Sequence, residues 1–371
     1  MPGSRGQALR RSGGPSRTAG MARTRARAAI SAVATPGAAR ALGTVAVALA
    51  FLLALGSAHP ALAQTDLGGQ RVGTSSGAFL KIPLDARGSA MAGATSAWVS
   101  GPTALFWNPA GLGIEEERAV SFSAIDYTAG IPIGAAAICF PARLIRGAVG
   151  IGLAGLQAEM AETDEYHPLG TGRDFSYRAW TAALGVSRAL TDKLSFGLSF
   201  KAFHEDLGTE VGGPALNSWL VDAGAIYFVG YRDARIGIAL TNFGPDLRPS
   251  GEFTSRRTGA AVRYASFSPP TFFRFGAAID PYASALWSTR LALEIGHPAD
   301  NREVLRFGAE TTYRRLIALR GGYDFSADAL KLHAGFGARV RVGAQVMRVD
   351  YSYADGGDFG GIHRWTLQTN W

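Results

Sequence analysis

The sequence predicts an all-β membrane protein: an antiparallel outer-membrane β-barrel of about 14 strands, preceded by a small N-terminal plug segment. Three observations lead there. From about residue 118 onward, segments of roughly ten residues alternate in polarity and are separated by turn residues. After residue 64 there is no continuous apolar run near the ~20 residues that a membrane-spanning helix needs. The chain of 371 residues ends on HRWTLQTNW, with Trp371 closing a strand-like alternation where a soluble terminus would fray into polar residues.

Residues 1–63 read as an export leader. An arginine-rich front leads into the uncharged stretch ALGTVAVALAFLLALG, from Ala41 to Gly56, and then SAHPALAQ. Ala61-Leu62-Ala63 has the small-x-small form of a cleavage site, which makes Gln64 the mature N-terminus. Eight of the 37 Lys and Arg residues fall in this leader, which holds no acid, so 29 cations face 29 acids beyond it. The formal charge of +8 therefore belongs to the leader and argues against a nucleic-acid partner. Cys139 stands alone, so an exported chain of this length must draw its stability from burial and backbone pairing.

Residues 64–117 form the predicted plug. LDARGSAMAGATSAWVSGPTALFWNPAGLGIEEE (84–117) is rich in small residues that permit close packing inside a barrel, with weak helical character over 85–98. Pro109 and Gly111 break regular structure at WNPAG. Phe106, Trp107, Asn108, Pro109, Ala110 and Gly111 are the candidate ligand contacts, although locking the plug to the wall is the simpler role for this motif. Glu115, Glu116 and Glu117 read as a solvated turn.

Residues 118–371 supply the barrel. In KLSFGLSFKAFH, Leu194, Phe196, Leu198, Phe200 and Ala202 oppose Lys193, Ser195, Gly197, Ser199 and Lys201. Leu305 and Phe307 oppose Arg306 and Glu310 in the same way, and Ile317 and Leu319 oppose Arg320 and Asp324. Those four charges are too many for a dry sandwich core, and they favour a water-accessible lumen. Trp180, Trp219, Tyr227, Tyr313 and Trp365 recur near segment ends, as interfacial girdles do. Fifteen candidate segments are present; because bacterial barrels close on even numbers, one of them, near the start or middle, is expected to be split or outside the wall. The alternation changes phase in QVMRVDYSY, which predicts a bulge near Val346.

Several motifs tempt and fail. GTSSG (73–77) has the nucleophile-elbow form but lacks the strand and helix that Ser75 would need. GIGLAG (150–155) has no βαβ surroundings and reads as a strand with small residues facing a crowded interior. The histidines show no ligand spacing, and DYSYADGGDFGG (350–361) lacks the position-12 glutamate of an EF-hand and reads as a hairpin loop. No metal, cofactor or catalytic set is predicted.

GAFLKIPLDARGSAMAGATSAW (77–98), ALFWNPAGL (104–112), ALTNFGPDLR (239–248) and VDYSYADGGDFGGIHRWTLQTNW (349–371) together resemble the PorV/PorQ family of outer-membrane proteins, which is related in fold to FadL-type transport barrels. The stretch Trp98-Val99-Ser100-Gly101-Pro102 departs from the family's more acidic pattern. The resemblance implies a non-enzymatic, outer-membrane protein of a Gram-negative-type bacterium, inserted by the barrel-assembly machinery. Trp365, Leu367 and Trp371 would carry the assembly signal, with tryptophan in the final place that is usually phenylalanine. It implies first a secretion-system component that binds exported cargo proteins, and alternatively a FadL-like channel for a hydrophobic ligand.

Overall fold

The computed structural model describes residues 72–371, apart from positions 116, 164, 256 and 344. The predicted leader and the residues Ala61, Ala63 and Gln64 lie outside the described residues. Fourteen strands close into one antiparallel barrel: β1 (Ala119–Asp126), β2 (Pro132–Ala142), β3 (Gly147–Ala161), β4 (Asp174–Thr191), β5 (Leu194–Leu207), β6 (Ala215–Phe228), β7 (Arg235–Phe243), β10 (Phe272–Ala283), β11 (Trp287–Pro298), β12 (Val304–Tyr313), β13 (Ile317–Asp324), β14 (Leu332–Val342), β15 (Gln345–Asp355) and β16 (Gly361–Asn370). The short strands β8 (Glu252–Thr254) and β9 (Ala261–Arg263) pair only with each other. Of the fifteen candidate segments, the one that holds β9 is thus outside the wall. Closure is made by β1, which pairs with β2 on one side and with β16 on the other, so no strand edge is left open.

Side chains alternate as the sequence requires. Phe196, Leu198 and Phe200 face outward, whereas Ser195, Ser199 and Lys201 are buried inward. Among the described residues no helix is long and apolar enough to cross a membrane; the outward apolar face belongs to the strands. Trp219 and Tyr227 are both exposed on β6, eight residues apart. At about 3.3 Å per residue, reduced by strand tilt, that spacing separates the two aromatic levels by roughly 20 Å along the barrel axis. Trp180 and Trp365 are likewise exposed, and Trp287 packs against Tyr313 with ring centroids 4.6 Å apart. Trp180 and Trp365 sit well inside β4 and β16 rather than at their ends.

The two ends of the barrel differ. At one end the connections are short, as at 192–193 and 343–344; at the other they are long, as at 162–173 and 244–271. The phase change near Val346 comes from the 343–344 connection rather than a bulge. Val342 pairs with Gln345 and Arg341 with Val346 without interruption, and Gly343 has a φ of 63° as such tight hairpins require. Register shifts fall elsewhere, between Val221 and Ala223, Ala189 and Thr191, and Ile279 and Tyr282. Of the sequence DYSYADGGDFGG only the glycine-rich part forms a loop. Asp350 lies within β15 with its side chain fully buried inside the barrel.

The core lies between residues 72–117 and the inner wall. Ser75 pairs with Ser268 at the long-loop end, and Asn370 donates to Glu115 at the short-turn end, so this segment passes through the whole lumen. Its regular helix is only α1 (Ala86–Ala90), shorter than the predicted 85–98; turns and 3-10 stretches follow. Leu105, Phe106 and Leu112 press on Gly150, Gly152 and Gly185, where a Cβ would meet them at 3.0 Å or closer. Gly150 and Gly152 of GIGLAG, and Gly185 on the neighbouring strand, therefore make room for the segment. Glu115 is not solvated: its carboxylate accepts from Ser100 Oγ at 2.6 Å and from Asn370 Nδ2 at 3.4 Å.

Candidate functional site

The WNPAG motif divides into a lock and a lining. Asn108 is extended and caps the 3-10 turn Pro109–Gly111, its Oδ1 accepting from Ala110 N at 3.1 Å. Proline at the first turn position costs no hydrogen bond there. Asn108 Nδ2 donates to Ser96 O at 2.7 Å and reaches the wall carbonyls of Ile238 and Ala225 at 3.3 and 3.4 Å. Gly224 opposes it, and a Cβ at that position would coincide with the Asn108 amide oxygen. Ala110 O accepts from Ser195 Oγ at 2.7 Å, and Gly197 leaves space for the Pro109–Ala110 backbone. Asn108, Pro109, Ala110 and Gly111 are all buried in this contact.

Trp107 turns the other way. Its indole N–H donates to Asp85, which also caps α1 by accepting from Gly88 N at 2.8 Å. Its ring forms one wall of a cavity of about 230 Å³ near the long-loop end, between the N-terminal segment and strands β7 and β10–β12. Leu80, Pro83, Phe272, Pro298 and Val304 supply the apolar lining. Arg274 lies 5.0 Å from the Trp107 ring centroid and 4.4 Å from that of Phe272, so aromatic faces cover its guanidinium. Arg306 pairs with Asp324 at 2.8 Å, and Glu294, which accepts from Thr95 N and Ser96 N at 3.0 and 2.9 Å, lies 3.5 Å from Arg274.

A clamp closes the long-loop side. Lys81 Nζ is 2.7 Å from Asp300 Oδ2, and Ser75 Oγ donates to the same oxygen. Burial pushes the Asp300 carboxyl upward, but the hydrogen bonds from Lys81 and Ser75 and the Lys81 charge outweigh it and hold the group below its ordinary range. Ser75 therefore serves the clamp, its hydroxyl hydrogen committed to the Asp300 carboxylate, which Lys81 also pairs.

Of the six predicted contact residues, only Trp107 lines this cavity. Phe106 instead packs on Gly152. Trp365 and Leu367 face outward on β16, and Trp371 N donates to Arg118 O at 3.0 Å beside the closure. Sequence reasoning missed Phe272, Arg274, Asn242 and Asp300 as cavity residues. Phe272 and Arg274 share a strand face in TFFRFG, and Asn242 sits in the mid-barrel TNFG, so signals existed but nothing indicated which plug residue they would meet.

The fold and the lumen define a class, a closed 14-stranded antiparallel barrel of the outer-membrane type with its N-terminal segment threaded inside. No protein-family model matches the sequence, and no curated protein matches it. Solved structures do share the fold. The Ralstonia pickettii toluene transporter TbuX superposes with a TM-score of 0.50 at 16% identity, covering 78% of this chain and 97% of that one. The CymD monoaromatic hydrocarbon channel gives 0.50 at 14% identity, covering 77% and 96%. A deletion mutant of the TodX monoaromatic hydrocarbon channel gives 0.52 at 16% identity, covering 77% and 97%.

Proposed function

We propose that this chain resides in the outer membrane, short turns toward the periplasm and long loops outward, and conducts a hydrophobic small molecule through its lumen. The observation that carries this is the cavity at the long-loop mouth, where Leu80, Pro83, Trp107, Phe272, Pro298 and Val304 form an apolar side facing Lys81, Asn242, Arg274, Asp300 and Arg306, against a segment that fills the path below it. Apolar and aromatic walls with placed polar groups are the usual makings of a small-molecule site, and aromatic faces cover Arg274 here. The shared fold with proteins described as toluene transporters and monoaromatic hydrocarbon channels supports the same class of substrate. The secretion-component role implied by the PorV/PorQ resemblance has no comparable cavity or neighbour behind it. The test is uptake of a radiolabelled monoaromatic compound by cells expressing the barrel. Val304→Trp, which fills the recess and leaves the Asn108 lock untouched, is expected to cut uptake several-fold; unchanged uptake would remove the cavity from the route.

We further propose that the end of β16 is the assembly signal, carried by outward Trp365 and Leu367 and terminal Trp371. Removal of Trp371 is expected to lower the yield of heat-modifiable barrel in the membrane fraction, with Trp371→Phe restoring it. Full assembly of the truncated chain would contradict the role.

A further inference from the structure

A second cavity, of about 280 Å³, opens at the opposite, short-turn mouth, and its chemistry is different. Six guanidinium groups line it, those of Arg87, Arg290, Arg315, Arg320, Arg339 and Arg348, against three carboxylates. Each carboxylate is already engaged. Glu310 accepts from Arg87 at 2.8 Å and from Arg320 at 2.6 Å. Asp350 takes Arg320 at 2.8 Å and Arg348 at 2.9 Å, and Asp280 takes Arg290 at 2.7 Å. Outside the lining, Asp233 adds a second partner for Arg290, and Glu115 acts on Arg348 through its field.

Arg315 and Arg339 remain with no ion pair among the described residues. Arg339 stands directly across from Arg348 in the β14–β15 register, and both point into the lumen. Like charges opposite one another on a sheet face are destabilising; Asp350 offsets that cost at Arg348, whereas Arg339, exposed at the mouth, has no acid paired with it among the described residues. Gly337 widens the site, since a Cβ there would lie 2.8 Å from both terminal nitrogens of Arg320. The result is a cavity whose fixed acids are spent and whose planar forks still offer donors.

We propose that this cavity binds a phosphate-class oxyanion between Arg339, Arg348 and Arg315. Guanidinium forks match the geometry of phosphate oxygens. A phosphate monoester near neutral pH carries close to two negative charges, which answers two unpaired arginines where a carboxylate answers one. Arg87 belongs to α1, so the bound anion would also face the segment that fills the lumen. The site stands apart from the apolar cavity and does not depend on the transport role. The same chemistry is offered by free phosphate and by the headgroup of a lipid of the adjacent leaflet.

The experiment is calorimetric titration of the purified full-length barrel, in zwitterionic detergent, with inorganic phosphate. The wild-type protein should show saturable binding, and Arg339→Gln should weaken it roughly tenfold or more, the loss of a charge-assisted hydrogen-bond donor. Arg339→Lys keeps the charge and loses the fork, and is expected to weaken binding too, which covers the case of a misfolded glutamine variant. A second arm uses dihexanoyl phosphatidic acid: tighter binding than inorganic phosphate assigns the lipid headgroup, weaker binding assigns the free ion, and either upholds the site. Absence of saturable binding, equal binding by an Arg315→Gln/Arg339→Gln double variant, or equal binding of acetate would overturn it.

Discussion

The lumen has two unlike walls. Along β2–β6 the inner face is smooth and small: Gly150, Gly152, Gly185, Gly197 and Gly224 receive Leu105, Phe106, Leu112, Ala110 and Asn108 in close backbone approach. Among the described residues this wall has one buried ion pair, Lys201 with Asp222 at 2.6 Å. Along β10–β15 the inner face is a chain of charges, Arg274–Glu294, Arg306–Asp324, Arg87–Glu310–Arg320 and Asp350–Arg348, and both cavities open against it. One wall holds the N-terminal segment by shape and the other by charge. At the glycines the segment meets the wall with no gap, whereas both cavities described above open against the charged wall. On the proposed transport reading, the route for a solute lies on the β10–β15 side, where the recess beside Trp107 opens.

Substitutions on the two walls test that division. Arg320→Met is expected to have the largest effect. It strips a buried guanidinium, with 2% of its side chain exposed, from both Glu310 and Asp350. The loss should be about 3 kcal/mol, measured by urea titration of the folded barrel, because two buried carboxylates each lose a partner while Arg87 and Arg348 remain. Asn108→Ala, on the shape-held side, should cost about 2 kcal/mol in the same titration, since the cap and the Ser96 carbonyl partner are lost together. A larger cost for Asn108→Ala than for Arg320→Met would reverse the assignment of the stronger anchor.

The smallest effect belongs to the long-loop clamp. Asp300 has a folded-state pKa below its unfolded value, so its stabilisation is present above an unfolded pKa of roughly 4 and is lost as pH falls through the lowered folded value. Lys81 is 44% exposed, so the clamp contributes about 1 kcal/mol at most. Hydrogen exchange of the backbone at 75–82 should accelerate as pH drops below that range once the intrinsic pH dependence of exchange is removed. Asp300→Asn should abolish the difference. An unchanged profile in that variant would assign the acid response to another group.

Much of the barrel was legible because lipid and lumen impose a strict two-residue period, as in 194–202 and 317–324. The phase change in QVMRVDYSY was legible as an event but not as a kind of event. A two-residue hairpin and a one-residue bulge both invert which parity faces inward, and only the pairing of Val342 with Gln345 distinguishes them. Glu115 could not be placed from its acidic neighbours, since its partners Ser100 and Asn370 come from a turn of the N-terminal segment and from the far end of the chain. WNPAG is recognisable in the sequence as a structural break, with the lock as its simpler role and ligand contact as the other. The structure gives Asn108 to the first and Trp107 to the cavity, a division set by the strands on either side and invisible in the motif.

The central claim is that the recess beside Trp107 and Phe272 takes a hydrophobic molecule. Its most direct test is native mass spectrometry of the barrel isolated in mild detergent after incubation with toluene-class and fatty-acid ligands. The wild-type barrel should retain one apolar ligand per chain, and Val304→Trp should lose it while Arg339→Gln keeps it. Retention of the same ligand by Val304→Trp, or release only of co-purifying secreted proteins with no small molecule, would contradict the claim.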